Sequence, residues 1–229
     1  MYSLPFFDCR AVFLYNSFGI KPMLIVALTG GIATGKSVVA YILEELGCYI
    51  HHADRIAHEL TEPEKPAWKK IVAHFGEKIL NKDKTINRSR LGKIIFSDKK
   101  EQVFLNELIH PLVLKKKKET IVKLEEEGST NIFVSEAALT VEAGFTDLFD
   151  KVIVVYCARD IQIERLMERD RISRKEALQK LKSQMTQEEK LKHADYIIDT
   201  SETLQSTVEQ TERIYRNLVI DHEMKGVAS

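Results

Sequence analysis

The 229-residue chain reads as an α/β protein, a doubly wound five-stranded parallel sheet with a helical insertion and a helical lid. Three observations predict this. Short, continuous apolar runs recur along the chain, of the kind that forms strands buried on both faces. Stretches of helical periodicity separate those runs, the alternation expected of βαβ units. The first run ends in a glycine-rich turn that opens directly into a helical pattern.

The elements follow in order. Residues 1–22 are mildly apolar, but Asp8 and Arg10 interrupt them and no basic segment leads them, so a secretory signal fits poorly. They are expected to be a loose extension or a mis-assigned start, with Met23 opening the fold. Leu24 to Leu28 reads as the first strand, stopped by Thr29-Gly30-Gly31. From Lys36 to Leu46, Val38, Val39, Ile42, Leu43 and Leu46 recur at helical spacing, and Gly47 supplies the stop. A second strand is expected around Cys48-Tyr49-Ile50. Helical patterns then run over Ala67 to Phe75, Arg88 to Ser97 and Glu101 to Glu127, a subdomain of its own. Strands return at Ile132-Phe133-Val134 and Val152 to Tyr156. Asp160 to Asp170 is an amphipathic helix, and Ser173 to Lys190 a second, very polar one that opens on a Ser173/Glu176 capping-box spacing. Its weak apolar face suggests a lid. Tyr196-Ile197-Ile198 gives the fifth strand, and a helix over Leu204 to Leu218 precedes a loose tail. The core is thus assigned to 23–54, 129–170 and 191–220, the insertion to 55–128, the lid to 171–190 and the tail to 221–229.

Composition narrows the function. Lys plus Arg and Asp plus Glu number 34 each, so no global basic field favours nucleic acid or an anionic membrane. No apolar run reaches the length of about 18 residues that a membrane span needs. The three cysteines, Cys9, Cys48 and Cys157, match neither a disulfide framework nor a zinc site, which fits buried fillers in a cytoplasmic protein. The oligomeric expectation is a monomer or a weak homo-oligomer.

The sharpest signal is Gly30-Gly31-Ile32-Ala33-Thr34-Gly35-Lys36-Ser37, which satisfies G-x-x-x-x-G-K-[ST] between a buried strand and a helix. Amides of such a loop converge on a triphosphate, and the helix N-terminus, reached at Val38, adds a favourable dipole. Lys36 would reach the β- and γ-phosphates of ATP, and the Ser37 hydroxyl would ligate Mg2+. A GTPase is disfavoured, because Asn81-Lys82-Asp83-Lys84 places the acid one position early for guanine reading and no D-x-x-G occurs. A small-molecule kinase needs instead an acceptor-side carboxylate, an acceptor pocket and arginines for the transferring group.

The series Val26-Ala27-Leu28-Thr29-Gly30-Gly31-Ile32, Gly35-Lys36-Ser37 and Ala53-Asp54-Arg55-Ile56-Ala57-His58 resembles the opening of dephospho-CoA kinases, roughly LTGGIGSGKS followed by DAD-x-IA. His110-Pro111, Arg88 and Glu142-Ala143-Gly144 resemble that family's HP pair, insertion arginine and PLL-F-E segment. Gln162, Arg165, Arg169-Asp170, Gln184-Met185 and Ala194 to Asp199 resemble its lid and final strand. The resemblance spans about Met23 to Ser201 and implies ATP-dependent phosphorylation of the 3′-hydroxyl of dephospho-CoA, giving CoA and ADP. Three departures stand out. Ala33 replaces a glycine, a change tolerable if that residue keeps φ negative; His52 replaces the first acid of DAD; and Ala138 and Thr140 interrupt the proline-leucine-leucine segment.

The resemblance assigns roles. Asp54 is the general base and a contact of the Mg2+ shell, against the plainer reading of an N-cap. Arg169 and Arg165 are ATP contacts, against a solvated face paired with Glu164 and Glu168. Arg88, His110 and Glu142 border the acceptor, with His110 fixed in a turn by Pro111. Lys115 to Lys118 read mainly as surface, Trp68 and Phe75 as core, and the pair His51-His52 lacks the further ligands a metal site needs. The competing readings are another small-molecule or nucleoside monophosphate kinase, and a nucleotide-binding homologue impaired in catalysis.

Overall fold

A computed structural model describes residues 22–142 and 144–225; the expectations placed on residues 1–21, Cys9 included, on Ala143 and on 226–229 lie outside them. The strands are β1 (Leu24–Gly30), β2 (Tyr49–His52), β3 (Ile132–Glu136), β4 (Lys151–Tyr156) and β5 (Tyr196–Asp199). All pair in parallel, in the order β2-β3-β1-β4-β5. Along central β1, Leu24, Val26 and Leu28 alternate onto one face, where Val39 and Leu43 of α1 (Lys36–Glu45) and Ile214 and Leu218 of α9 (Leu204–Lys225) cover them. On the opposite face, Phe133 packs with Leu124 of the long helix from the insertion. The chain leaves β1 toward β2 on one side and continues from β3 to β4 on the other. The carboxyl ends of these strands therefore flank a topological switch point, the place where doubly wound sheets take ligands.

The insertion comprises α2 (Ala53–Leu60), α3 (Pro66–Phe75), α4 (Arg88–Ser97) and α5 (Lys99–Glu127). It carries its own core of Trp68, Ile71, Phe75, Ile79, Ile86 and Leu91, and the Trp68 indole donates to the Lys84 carbonyl at 2.9 Å. Two readings change here. Pro111 lies inside α5 and His110 is helical, where a turn was expected. Proline removes one donor, toward the Glu107 carbonyl. Packing of Leu105 and Leu108 on the insertion and of Ile121 and Leu124 on the sheet holds the helix together across that gap. Lys117, from the run expected at the surface, is buried, with its ammonium 3.7 Å from the centre of the Phe149 ring.

After α6 (Arg159–Asp170), the single polar helix expected as a lid is two, α7 (Arg174–Lys182) and α8 (Gln187–Leu191). Ser173 and Glu176 form the anticipated capping box, and Thr186 with Glu189 forms a second one that starts α8. That second T-x-x-E was visible in the sequence and marks the break. Ala177 seats on Ile163 and Leu166, which attaches α7 to α6. The final helix runs to Lys225, so residues 221–225 belong to it and not to a tail. The Lys225 amine donates to the Met23 carbonyl at 3.0 Å and pairs with Asp150 at 2.5 Å, stapling this end to the start of β1.

Candidate active site

The phosphate loop joins β1 to α1. Gly30 is required by close approach: a Cβ there would lie 2.5 Å from the Val155 carbonyl oxygen. Gly35 is the α1 N-cap at φ 84°, a left-handed conformation that glycine adopts without strain. The Thr34 hydroxyl closes the loop onto the Gly31 carbonyl at 2.9 Å, and Thr200 donates to the Thr34 carbonyl at 2.7 Å. Ala33 does not keep a negative φ; it sits at 60°, in the left-handed region. A side chain there costs about 1–2 kcal/mol. Ala33→Gly is therefore expected to stabilise the protein by about 1 kcal/mol and to raise Tm by about 2–4 °C, read by thermal unfolding. An unchanged or lower Tm would show that the loop relaxes around alanine.

The Lys36 amine donates to Glu136 at 3.1 Å, and the other oxygen of the same carboxylate meets His52 Nδ1 at 2.5 Å. Burial pushes the Glu136 carboxyl up, but Lys36 and His52 outweigh it and hold it below the usual carboxylate range. Glu136 escaped the sequence reading, which ended that strand at Val134. An acid closing a buried apolar run, at the carboxyl edge of a parallel strand, was the available signal. His52, the departure from the family's acid, thus enters the site as a partner of Glu136.

Two cavities meet at this edge. The first, about 700 Å³, is lined by the loop from Gly31 to Val38, by Arg165 and Arg169, and by Gln184, Thr200, Glu202, Leu204 and Thr207. The last four were missed: Thr200 and Glu202 fall in the turn after the final strand, and Leu204 and Thr207 fall in the first turns of a helix read only as packing. Arg165 donates to the Thr200 hydroxyl at 2.9 Å and carbonyl at 2.7 Å, and Arg169 forks onto Asp170 at 2.8 and 3.3 Å. Neither pairs with Glu164 or Glu168. Asp170 also accepts from Lys180 at 2.6 Å, and the two cations pull its carboxyl down to about 2. Gln162 and Gln184 hold Ile32 at the tip of the loop, one donating to its carbonyl at 2.7 Å and the other accepting from its N–H at 3.0 Å.

The second cavity, about 260 Å³, lies between insertion and sheet, with Arg88, His110, His51 and Lys117 set among Leu91, Phe145 and Phe149. Arg88 donates to the Thr61 hydroxyl at 3.0 Å, and the His110 ring meets Phe145 edge-on at 5.3 Å between centroids. Among the described residues, Asp54 is the one that lines both cavities. It is the second residue of α2, whose N-cap is His52, so the capping role does not apply. Glu142 borders neither cavity; it faces the fully buried amine of Lys190 at 2.6 Å. That same amine donates to the Ala138 carbonyl at 2.8 Å, and the Thr29 hydroxyl donates there at 3.2 Å. Two donors thus fix the segment in which the family's proline is replaced.

Burial lowers the pKa of His51 to about 4, with the Lys117 cation adding to the effect, and burial also lowers His58 and His110. The unfolded chain takes up these protons near pH 6.5 and the folded one does so only at lower pH. Stability is therefore expected to fall as pH drops below about 6.5, with the His51 contribution levelling off near 4. Denaturant unfolding between pH 7.5 and pH 4.5 measures this; a flat profile contradicts it.

The family model described as Dephospho-CoA kinase matches residues 24–206. The chain is 45% identical over 186 residues to a Dephospho-CoA kinase of Carboxydothermus hydrogenoformans, covering 81% of this chain and 90% of that protein. It is 39% identical over 197 residues to a Dephospho-CoA kinase of Syntrophus aciditrophicus, covering 86% and 84%. The solved Dephospho-CoA kinase from Campylobacter jejuni superposes with a TM-score of 0.61 at 33% identity, covering 85% of this chain and 96% of that one. Family model, relatives and fold agree: this chain belongs to the dephospho-CoA kinase family.

Proposed function

We propose that the chain transfers the γ-phosphoryl group of ATP to the 3′-hydroxyl of dephospho-CoA, giving ADP and CoA. The observation that carries this reading is the position of Asp54, where the phosphate-loop cavity and the insertion cavity meet. In-line transfer needs donor and acceptor held end to end, with a carboxylate at the junction to take the hydroxyl proton. In this reading the loop amides and Lys36 hold the triphosphate, and Arg165 and Arg169 cover the transferring group. Arg88 meets the acceptor's diphosphate and His110 borders it. Glu142 acts indirectly, through Lys190 and the carbonyl of Ala138.

Ser37 and Asp54 both border the ATP cavity and offer only oxygen donors, a set that fits Mg2+, which is held by few protein groups and by substrate phosphates. When bound, the ion would neutralise charge on the phosphates. The described residues contain no helix long and apolar enough to cross a membrane. The buried free thiols Cys48 and Cys157 support a reducing compartment, and we assign the enzyme to the cytoplasm.

A coupled ADP-release assay tests the reading. Dephospho-CoA is expected to be turned over with a kcat/KM at least about 10²-fold above those for AMP, shikimate and pantothenate, since these lack the groups that fill the acceptor cavity. Equal use of AMP would move the chain to the nucleoside monophosphate kinases.

A further inference from the structure

His51 is not explained by the roles above. It lies on β2 next to His52, but alternation along the strand sends the two rings to opposite faces. His52 reaches Glu136 at the phosphate loop, whereas His51 lies over the Phe133 ring, 5.4 Å between centroids, and lines the acceptor cavity. Only 2% of the residue is exposed, and neither ring nitrogen has a hydrogen-bond partner. Native structures seldom leave such a group unpaired, because an orphaned buried polar atom costs stability for as long as it stays unpaired. A ligand that pairs it in the working complex accounts for a buried imidazole left without a partner here.

The kind of ligand follows from the surroundings. Burial and the Lys117 cation keep the imidazole neutral, so it presents one N–H donor and one bare nitrogen acceptor. An uncharged donor-acceptor pair beside aromatic side chains suits a flat, neutral heterocycle and suits a diphosphate poorly. The diphosphate has its cation in Arg88, on the insertion side of the same cavity. Asp54, three residues further along, marks where the ribose hydroxyl must sit, and the base is the part of the acceptor attached closest to that ribose.

We infer that His51 is a specificity-determining residue that hydrogen-bonds the adenine base of the acceptor. The inference rests on the proposed reaction, of which it names one contact. His51→Phe keeps a ring of similar size over Phe133 and removes both nitrogens. It is expected to raise KM for dephospho-CoA about tenfold, to leave KM for ATP unchanged and to raise Tm, because an unpaired buried polar group is gone. His51→Gln, which keeps a donor and an acceptor, is expected to hold KM within about threefold of the parent.

Acceptors that carry hypoxanthine or 7-deazaadenine in place of adenine complete the test. The parent is expected to lose about tenfold in kcat/KM on at least one of them, and His51→Phe is expected to lose nothing further on that one. An unchanged KM for dephospho-CoA alongside a raised Tm overturns the inference. So does equal discrimination against both analogues by the two enzymes, or, should the variant fail to fold, no discrimination by the parent. A parent that does not turn over dephospho-CoA at all removes the functional reading itself, and the inference with it.

Discussion

Asp54→Asn is expected to bind ATP as the parent does while kcat with dephospho-CoA falls by about 10²–10⁴-fold, the range associated with losing a general base. Asparagine keeps the size and the hydrogen-bonding outline of the side chain. The first turn of α2 gives no reason for a structural penalty, because His52 holds the N-cap position and Asp54 follows inside the helix. What the substitution removes is a proton acceptor and an anionic oxygen at a place that borders both cavities. Steady-state kinetics together with calorimetric titration of an ATP analogue separate the two effects. A kcat within threefold of the parent would remove Asp54 from the chemistry and leave it as a wall residue. A lost analogue affinity, measured with Mg2+ present, would shift its main role from the base to the metal shell.

Most of the scaffold was legible because it is written in local patterns. The runs at Leu24, Ile132 and Val152 each became strands, since residues buried on both faces of a parallel sheet must be apolar without interruption, and the shorter Tyr196 run became the edge strand, where Ile197 stays exposed. The phosphate loop was legible for a similar reason: its glycines answer a local demand, the 2.5 Å approach of Val155 to the missing Cβ of Gly30. Failures of the reading lie where distant partners decide. Nothing near Pro111 in sequence reveals that α5 is held from both ends by the insertion and the sheet. Lys117 sits in a run of four lysines that any local reading leaves in solvent, yet its partner ring, Phe149, lies 32 residues away. Ala33 shows the limit for backbone conformation, since the left-handed φ is imposed by the closure of the loop and alanine merely tolerates it. Within the site, Lys36 was marked by the type and spacing of the phosphate loop, whereas Asp54 and the two arginines were singled out by resemblance to the family's positions, since charge and spacing alone read equally as a cap and a solvated face. Glu136 was not, because its importance lies in touching residues 100 and 84 positions away in the chain.

That missed carboxylate shapes the second large effect. Lys36→Ala is expected to lower kcat/KM for ATP by about 10³-fold, the scale of removing one preorganised donor from a developing charge. Two losses combine in it. The triphosphate loses a cation, and Glu136, whose side chain is largely buried and whose carboxyl Lys36 and His52 hold below the usual carboxylate range, loses a partner that offsets its burial. The freed negative charge then faces the cavity that must receive a polyanion, with His52 alone beside it at 2.5 Å. The double variant Lys36→Ala with Glu136→Gln tells the losses apart. Neutralising Glu136 is expected to recover about tenfold of the lost ATP affinity, a coupling of the size found between residues in direct contact. It is not expected to recover kcat, because no cation returns to the transferring phosphoryl group. If the double variant binds ATP no better than Lys36→Ala, Glu136 does not set the charge of the site and serves only to hold the Lys36 side chain in place. Recovery of kcat as well would mean that Lys36 acts chiefly by masking Glu136, with the loop amides and arginines sufficient for the transfer.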